Sequence, residues 1–229
     1  MKLSVIIPAY NESRTIREVV EAVEAVPFPV EHEILLIDDA SIDGTKEILL
    51  GSAVPGRPLR LFVNPTNLGK GASVRHGLEH VRGDIVIVQD ADLELDPQDI
   101  PSLIRPVIDG EADAVYGSRF MKRRWPEKMA FPNWMANRLL NIGANALYQA
   151  RLTDVSCGYK AVRTDLIKSL DLRCRRFEFC FEVTAKLRKR GVRILEVPIS
   201  FTARSRKDGK KIGLKDFFVA VWTLLRYRF

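Results

Sequence analysis

The sequence predicts an α/β fold in which a mostly parallel central sheet is flanked by helices. In residues 1–118, short apolar runs rich in β-branched residues alternate with helical patterns, which is typical of βαβ units. Acidic or glycine-containing segments follow the runs, where the carboxyl ends of parallel strands bind ligands. Since 229 residues are enough for one such domain, we expect a single domain over residues 1–229.

Five strands are predicted in the first half, each from a short apolar run: 3–7, 33–37, 59–63, 84–89 and 114–117. A helix is predicted between the first two strands, because apolar residues recur there at the spacing of one helical face. These residues are Ile16, Val19, Val20 and Val23. Ser13 is the expected N-cap of this helix, and Pro27 is expected to end it.

The second half has a less regular pattern. Helices are predicted at 133–149 and 178–190, and strands at 158–162 and 194–201. Residues 214–229 are predicted to form a terminal amphipathic helix with basic and aromatic residues beside its apolar positions. Such a helix either covers the core or lies at a membrane surface.

Composition and charge limit the class of protein and of partner. The hydrophobic fraction is 46% and the charged fraction 28%, which excludes a disordered or collagen-like chain. Lys and Arg outnumber Asp and Glu by 36 to 29, so an anionic partner is favoured. Three cysteines without metal-site spacing indicate free thiols. With no apolar run long enough for a signal peptide or a membrane span, we expect a cytoplasmic protein that can bind peripherally to the cytoplasmic face of a membrane.

Two acidic segments follow predicted strands. Asp90 and Asp92 come after the apolar run 85–88, and paired carboxylates suit Mg²⁺ or Mn²⁺ bound to a diphosphate. Asp39 follows the run 34–37 and is assigned to a nucleobase or ribose, while Asp43 is assigned to capping the next helix. Gly69-Lys70-Gly71 has neither a dinucleotide-binding nor a P-loop spacing, but it forms a good anion turn at a helix N-terminus.

Four segments in order resemble the family 2 glycosyltransferases, and especially the dolichyl-phosphate and polyprenyl-phosphate mannose and glucose synthases. They are residues 5–12, 37–45, 67–71 and 89–92. Residues 116–119, 153–160, 177–179 and 196–199 resemble later motifs of the same group, so nearly the whole chain is covered. The resemblance implies a GT-A fold. It also implies a nucleotide-sugar-binding half over 1–118, an acceptor half with a lid loop over 119–212, and the amphipathic helix over 213–229.

The resemblance also implies roles for single residues. The nucleoside would be held by four residues and supported by Lys70; the four are Pro8, Tyr10, Glu12 and Asp39. Asp90, Ala91 and Asp92 would bind the metal and the diphosphate. Glu94 would be a further metal ligand where many relatives have Gln.

Three cations are candidates for phosphate binding. Arg204 and Lys210 lie in the basic segment 204–211, which the resemblance identifies as a catalytic lid over the phosphates; the alternative is a solvated loop. Arg119 either reaches a phosphate or forms a structural ion pair.

The expected reaction is an inverting, metal-dependent transfer of a hexose, mannose or glucose, from a GDP or UDP sugar to a polyprenyl or dolichyl phosphate. An alternative is a sugar or other hydroxyl acceptor, which would need a general base, for which Asp154 is the candidate. Asp154 could instead be structural. A sugar nucleotidyltransferase is disfavoured because no glycine-rich, Arg-containing loop follows the first strand. A noncatalytic nucleic-acid-binding module is a remote alternative, and we expect no nucleic-acid partner. No feature predicts an oligomeric state.

Overall fold

The computed structural model describes residues 1–53, 56–123, 125–126, 129–203 and 213–229. Its centre is a seven-stranded sheet in the order β3-β2-β1-β4-β6-β5-β7. The strands are β1 (Lys2–Ala9), β2 (Glu31–Asp38), β3 (Leu59–Val63), β4 (Ile85–Val88), β5 (Ala114–Ser118), β6 (Lys160–Arg163) and β7 (Ile194–Pro198). Only β6 runs against its neighbours, β4 and β5. The mostly parallel α/β sheet predicted from the sequence is therefore confirmed.

Eight helices flank the sheet in the described part of the chain. They are α1 (Ile16–Glu24), α2 (Thr45–Ser52), α3 (Lys70–His80), α4 (Ile100–Ile108), α5 (Phe131–Tyr148), α6 (Thr164–Ser169), α7 (Phe179–Lys189) and α8 (Leu214–Arg226). A short 3₁₀ turn, Pro97–Asp99, leads into α4. The predicted C-terminal helix is confirmed as α8.

Alternation along the strands produces one apolar layer on each face of the sheet. In β1, Ile6 packs with α3, α5, α7 and α8, whereas Val5 and Ile7 pack with α1 and α4. Successive strand side chains point to opposite faces, so a strand buried on both sides is apolar throughout. This explains why the central strands appear in the sequence as continuous apolar runs.

Some predicted boundaries were wrong for local reasons. The N-cap of α1 is Thr15 and not Ser13, whose backbone N–H donates instead to the Asp43 carboxylate at 3.1 Å. The helix also ends at Glu24, before Pro27. The last strand, β7, ends at Pro198, because its continuation leaves the ladder and only Phe201 forms an isolated bridge, with Leu95.

The strand directions bring several loops to one edge of the sheet. The carboxyl ends of β1 to β5 and β7 all lie there, because the two antiparallel pairings of β6 restore the direction of β5 and β7. The same reversal brings the amino end of β6 to this edge. Loops at the carboxyl ends of parallel strands are the usual place for a ligand site in such sheets.

The C-terminal helix α8 covers one of the two cores. Ala220 and Leu224 are buried against α5 and α7, and the Tyr148 hydroxyl donates to the Leu224 carbonyl at 2.6 Å. Of the two roles open for this helix, covering the core is confirmed. In the described part of the chain, no helix is long and apolar enough to cross a membrane.

Candidate active site

Asp39, at the end of β2, organises the loop that follows β3. Its side chain is buried, and it accepts hydrogen bonds from Asn64 Nδ2 at 2.7 Å, from the Leu68 N–H at 3.0 Å and from the Gly69 N–H at 2.8 Å. The anion turn predicted around Lys70 thus binds the Asp39 carboxylate, which is an anion of the chain itself. A helix N-terminus favours this arrangement, because its N–H groups and dipole stabilise negative charge.

Gly69 adopts the left-handed backbone that this turn requires, with φ +92°. A Cβ atom at Gly69 would lie 2.6 Å from the Arg175 carbonyl oxygen, so the turn also needs the absence of a side chain. The Ala72 N–H donates to that carbonyl at 3.0 Å. The segment before α7 therefore packs against the start of α3 and holds it in place.

Lys70 joins this loop to the acidic segment after β4. Its ammonium group forms an ion pair with Asp90 Oδ1. Burial acts to lower the pKa of Lys70, but the neighbouring acidic groups, Asp90 foremost, together outweigh burial and raise the pKa, so the ammonium stays charged. Lys70, predicted to support the nucleoside, thus lies against a predicted metal ligand.

Contacts from two other elements fix the 90–94 loop. Ala91 is buried, and its carbonyl accepts a hydrogen bond from Thr15 Oγ1 at 2.7 Å. Asp92 Oδ1 accepts from the Glu94 N–H at 3.1 Å, and the Glu94 carbonyl accepts from the Thr202 N–H at 3.0 Å. The start of α1 and the segment after β7 therefore both hold the loop.

The carboxylates of this loop fit a hard divalent cation. Their oxygen donors are those that Mg²⁺ and Mn²⁺ prefer. Across the residues with described positions, no three His, Cys, Asp or Glu side chains are grouped closely enough to hold a metal by themselves. A metal here would take one or two of the predicted ligands Asp90, Asp92 and Glu94, and complete its shell with substrate phosphate oxygens and water.

The loops after β1 and β2 are hydrogen-bonded to each other at the predicted nucleoside end. The Glu12 N–H donates to Thr45 Oγ1 at 2.8 Å, and Asn11 Oδ1 accepts from the Ile42 N–H at 2.9 Å. Pro8 is buried within β1, and Tyr10 is half-buried at its end. The structure therefore brings all four predicted nucleoside residues to the ends of β1 and β2.

Asp43 accepts hydrogen bonds from the loop after β1 and from the start of α2. The Thr45 backbone N–H and hydroxyl donate to Oδ1, and the Ser13 N–H donates to Oδ2. Burial acts to raise the pKa of Asp43, but these hydrogen bonds outweigh burial and lower it to about 2. Asp43 therefore remains ionised and accepts hydrogen bonds from Thr45 at the start of α2, but the N-cap residue is Gly44 and not the predicted Asp43.

Arg119 and Asp154 form a buried, two-point ion pair. Arg119 Nε donates to Asp154 Oδ2 at 2.7 Å and Nη2 donates to Oδ1 at 2.8 Å. Burial acts to lower the pKa of Arg119, but the neighbouring acidic groups, Asp154 foremost, together outweigh burial and raise the pKa. Both Asp154 oxygens are engaged and its side chain is fully buried, which favours the structural interpretation of Asp154 over the general base.

Glu196 on β7 holds the backbone segment that carries Asp154. Its carboxylate accepts from the backbone N–H groups of Thr153 and Asp154 and from the Thr153 hydroxyl. Burial raises the pKa of Glu196. Glu196 belongs to a recognised motif, but sequence reasoning gave it no role.

Sequence reasoning also missed Asn64 and Thr15. Asn64 directly follows β3, so its place at a strand end was a usable signal, whereas no local pattern marked Thr15 as a partner of Ala91. Arg204 and Lys210, the predicted lid cations, lie outside the described residues.

Comparisons with known proteins agree with this geometry. Residues 4–171 match glycosyl transferase family 2. The chain is 34% identical over 228 residues to an undecaprenyl-phosphate mannosyltransferase of Micrococcus luteus, covering 93% of this chain and 88% of that protein. It is 30% identical over 221 residues to a dolichol-phosphate mannosyltransferase of Pyrococcus furiosus, covering 95% of this chain but only 61% of that longer protein.

Among solved structures, glucosyl-3-phosphoglycerate synthase from Mycobacterium tuberculosis, in complex with Mn²⁺, uridine diphosphate and phosphoglyceric acid, has a similar fold. The TM-score is 0.77 at 22% identity, over 99% of this chain and 78% of that one. At this identity the likeness shows the fold alone. The chain is therefore a glycosyltransferase that belongs to family 2 and has the GT-A fold.

Proposed function

We propose that the chain transfers a hexose, mannose or glucose, from a GDP or UDP sugar to a polyprenyl or dolichyl phosphate, with inversion and with the help of Mg²⁺ or Mn²⁺. The observation that carries the proposal is the connection between two loops at one edge of the sheet: Lys70 links the Asp39 loop to the 90–92 loop. The names of the two relatives support the acceptor and the sugar.

At the donor, the residues after β1 and β2 would bind the nucleoside, and the 90–94 loop would bind the metal and the diphosphate. When bound, the metal would stabilise the negative charge that develops on the departing diphosphate. Lys70 keeps a positive charge beside Asp90, so the loop stays paired before substrate binds. We retain the division into a donor half over 1–118 and an acceptor half over 119–212.

The Arg119–Asp154 pair supports a phosphate acceptor over a hydroxyl acceptor. A phosphate monoester is already anionic near pH 7, since its second pKa is about 6. It therefore needs cations and no general base, and Arg204 and Lys210 are the cations we assign to it, because Arg119 forms the ion pair with Asp154. Asp154, the candidate base, is engaged at both oxygens by Arg119. One direct displacement at the anomeric carbon gives inversion.

Contact with a membrane surface would bring the enzyme to a lipid acceptor. Two packed helices, α5 and α8, each expose an apolar stripe at helical spacing. The stripes are Phe131, Met135, Leu139 and Ile142 on α5, and Leu214, Phe218, Trp222 and Leu225 on α8. Beside Trp222 is a cleft of about 320 Å³ lined by arginines, including Arg175 and Arg226. We propose that this face binds peripherally to the cytoplasmic side of an anionic membrane.

The test is a transfer assay with purified protein, labelled GDP-mannose or UDP-glucose, and undecaprenyl phosphate. We expect label in the organic phase only when both the lipid phosphate and Mg²⁺ or Mn²⁺ are present, and none after chelation. The anomeric configuration of the product, read by NMR, should be opposite to that of the donor. Label transferred to a sugar or another hydroxyl acceptor, with none in lipid, would reject the lipid phosphate and leave a family 2 transferase of other specificity.

A further inference from the structure

The reversed strand β6 brings its amino end next to the acidic loop that follows β4. The two strands pair in antiparallel register through Ile85 with Arg163 and Val86 with Val162. The residues just before β6 therefore face those just after β4. Gly158, two residues before β6, lies against the Asp90 carboxylate.

Gly158 leaves no room for a side chain against Asp90. A Cβ atom at Gly158 would lie 2.5 Å from Asp90 Oδ2, 3.3 Å from its Cγ and 3.5 Å from Lys70 Nζ. The first distance is far inside van der Waals contact, so the carboxylate or the turn would have to move. The backbone of Gly158 is outside the left-handed region, so volume, and not backbone conformation, requires glycine here.

The residues after Gly158 fix the turn that carries it. The Tyr159 hydroxyl donates to Gln89 Oε1, and Gln89 Nε2 donates to the Asp90 carbonyl at 3.0 Å. Lys160 Nζ donates to the Val155 carbonyl at 3.0 Å and lies 3.7 Å from the centre of the Tyr116 ring. These contacts hold the turn on both sides. We therefore expect the Gly158 backbone to keep its position, so that a clash at residue 158 would displace the Asp90 carboxylate.

We propose that Gly158 is a positioning residue, which confines the Asp90 carboxylate between its own Cα and the Lys70 ammonium and so orients Asp90 toward the donor diphosphate and metal. This inference rests on the proposed function, in which Asp90 is a metal ligand. Residues that orient metal ligands typically change metal affinity by about 10- to 100-fold when they are altered. A methyl group at position 158 would displace the carboxylate without removing any polar atom.

The experiment measures Mn²⁺ affinity by electron paramagnetic resonance, with GDP or UDP present, alongside the thermal midpoint Tm. For Gly158→Ala we expect Mn²⁺ binding about 10-fold weaker or worse, with Tm within about 4 °C of wild type, roughly the shift that 1 kcal/mol produces. Equal Mn²⁺ affinity in Gly158→Ala and wild type would overturn the inference while leaving the proposed function intact. A wild-type protein that binds no Mn²⁺ with either nucleotide would overturn both.

Two other glycines serve as matched controls. Gly143 in α5 has open space around its Cβ position, so Gly143→Ala should keep the Mn²⁺ affinity and should not lower Tm, because alanine favours a helix interior over glycine by about 1 kcal/mol. Gly83 lies at the amino ends of β1 and β4, away from the proposed site, and a Cβ there would lie 2.7 Å from the Lys2 carbonyl oxygen. Gly83→Ala should therefore lower Tm and keep Mn²⁺ affinity. If Gly83→Ala weakens Mn²⁺ binding as much as Gly158→Ala does, general destabilisation explains the effect and the inference fails.

A double variant decides the case in which Gly158→Ala does not fold. The substitution Asp90→Ala removes the carboxylate that a methyl group at position 158 would meet. The double variant that carries both Asp90→Ala and Gly158→Ala should therefore fold, with the same Tm as the single variant Asp90→Ala. A double variant that unfolds as Gly158→Ala does would place the clash elsewhere and overturn the inference.

Discussion

Charged side chains at this edge of the sheet are held in place by one another. Lys70 pairs with Asp90, and Arg119 pairs with Asp154. Removal of one partner from the buried Arg119–Asp154 pair leaves the other charge uncompensated, which typically costs about 3–5 kcal/mol. Each such residue therefore has a structural role that must be separated from any role in transfer.

Asp92 offers the cleaner test of the chemistry, because its side chain is half-buried at a strand end and accepts a hydrogen bond from the Glu94 N–H. For Asp92→Ala we expect transfer to fall by about 100-fold or more, as when one electrostatic stabiliser of a transition state is lost. The free energy of unfolding should fall by only about 1 kcal/mol. The assay is lipid labelling at saturating metal, with urea unfolding in parallel.

The matched control is Asp96→Ala, since Asp96 is an exposed acid in the same segment whose carboxylate caps the 3₁₀ turn through the Gln98 N–H. Transfer by this variant should be close to wild type. Near wild-type transfer by Asp92→Ala itself would remove Asp92 from the proposed metal site.

The Arg119–Asp154 pair predicts strong coupling in stability. Asp154→Asn and Arg119→Met should each lower the free energy of unfolding by about 3–5 kcal/mol, because each leaves a buried partner without its counter-charge. The double variant should lose clearly less than the sum of the two. Urea unfolding of the four proteins gives the coupling, and additive losses would show that the pair does not act as a unit.

The same variants distinguish a base from a structural carboxylate. Transfer lost in Asp154→Asn points to a general base only if Arg119→Met retains transfer, because both substitutions break the ion pair. We expect the two variants to be impaired to a similar degree with polyprenyl phosphate as the acceptor.

At the scale of elements, α8 has a buried face and an exposed face that is also apolar. Ala220, Thr223 and Leu224 are buried, while Phe218 and Trp222 are 63% and 64% exposed. An amphipathic helix on a core normally exposes polar residues on its outer face. The apolar outer face of α8 therefore supports the proposed contact with a membrane surface.

We predict that Phe218→Ser with Trp222→Ser weakens binding to vesicles that contain anionic lipid by at least about 10-fold, since burial of one such side chain contributes roughly 1.5–3 kcal/mol. Tm should not fall, because both side chains point away from the core. Vesicle sedimentation measures the binding. Leu50→Ser is the matched control, since Leu50 is 55% exposed on α2, on the other side of the sheet. Equal loss in both proteins would contradict a specific membrane face.

At the scale of the whole molecule, two apolar layers depend on every helix that covers them. The layer beneath α8 includes Leu140, Ala144 and Tyr148 of α5. The sheet joins residues from both halves of the chain, since β4 and β1 of the first half pair with each other and β4 pairs with β6 of the second. The loops proposed to bind the donor and the acceptor are thus carried by one continuous sheet.

Removal of residues 213–229 is predicted to destabilise the protein, because it exposes this layer and leaves the Tyr148 hydroxyl without the Leu224 carbonyl. Loss of several buried side chains at about 1.5–3 kcal/mol each is enough to unfold a domain of ordinary stability. Thermal unfolding followed by circular dichroism is the measurement. A truncated chain with a wild-type Tm would make α8 a surface appendage only.

The sequence by itself determined the order of the strands, most of the helices and the residues at the strand ends, because these are local properties; the helices α4 and α6 were not predicted. Apolar runs mark strands buried on two faces, and the face of α1 was predicted from spacing alone. The positions of Asp39, Asp90 and Asp92 followed from the runs that precede them. The motifs that resemble the family then predicted the chemistry that we propose for these acids.

Only the tertiary structure decided which groups these residues contact. Asp39 accepts hydrogen bonds from Asn64 and from N–H groups of the β3–α3 loop. Lys70 pairs with Asp90, and Gly158 packs against the Asp90 carboxylate. These partners are far apart along the chain and meet because of the strand order and the reversed direction of β6. Periodicity reports the environment of one element, whereas a contact depends on the distance between two elements, which the packing of the sheet sets.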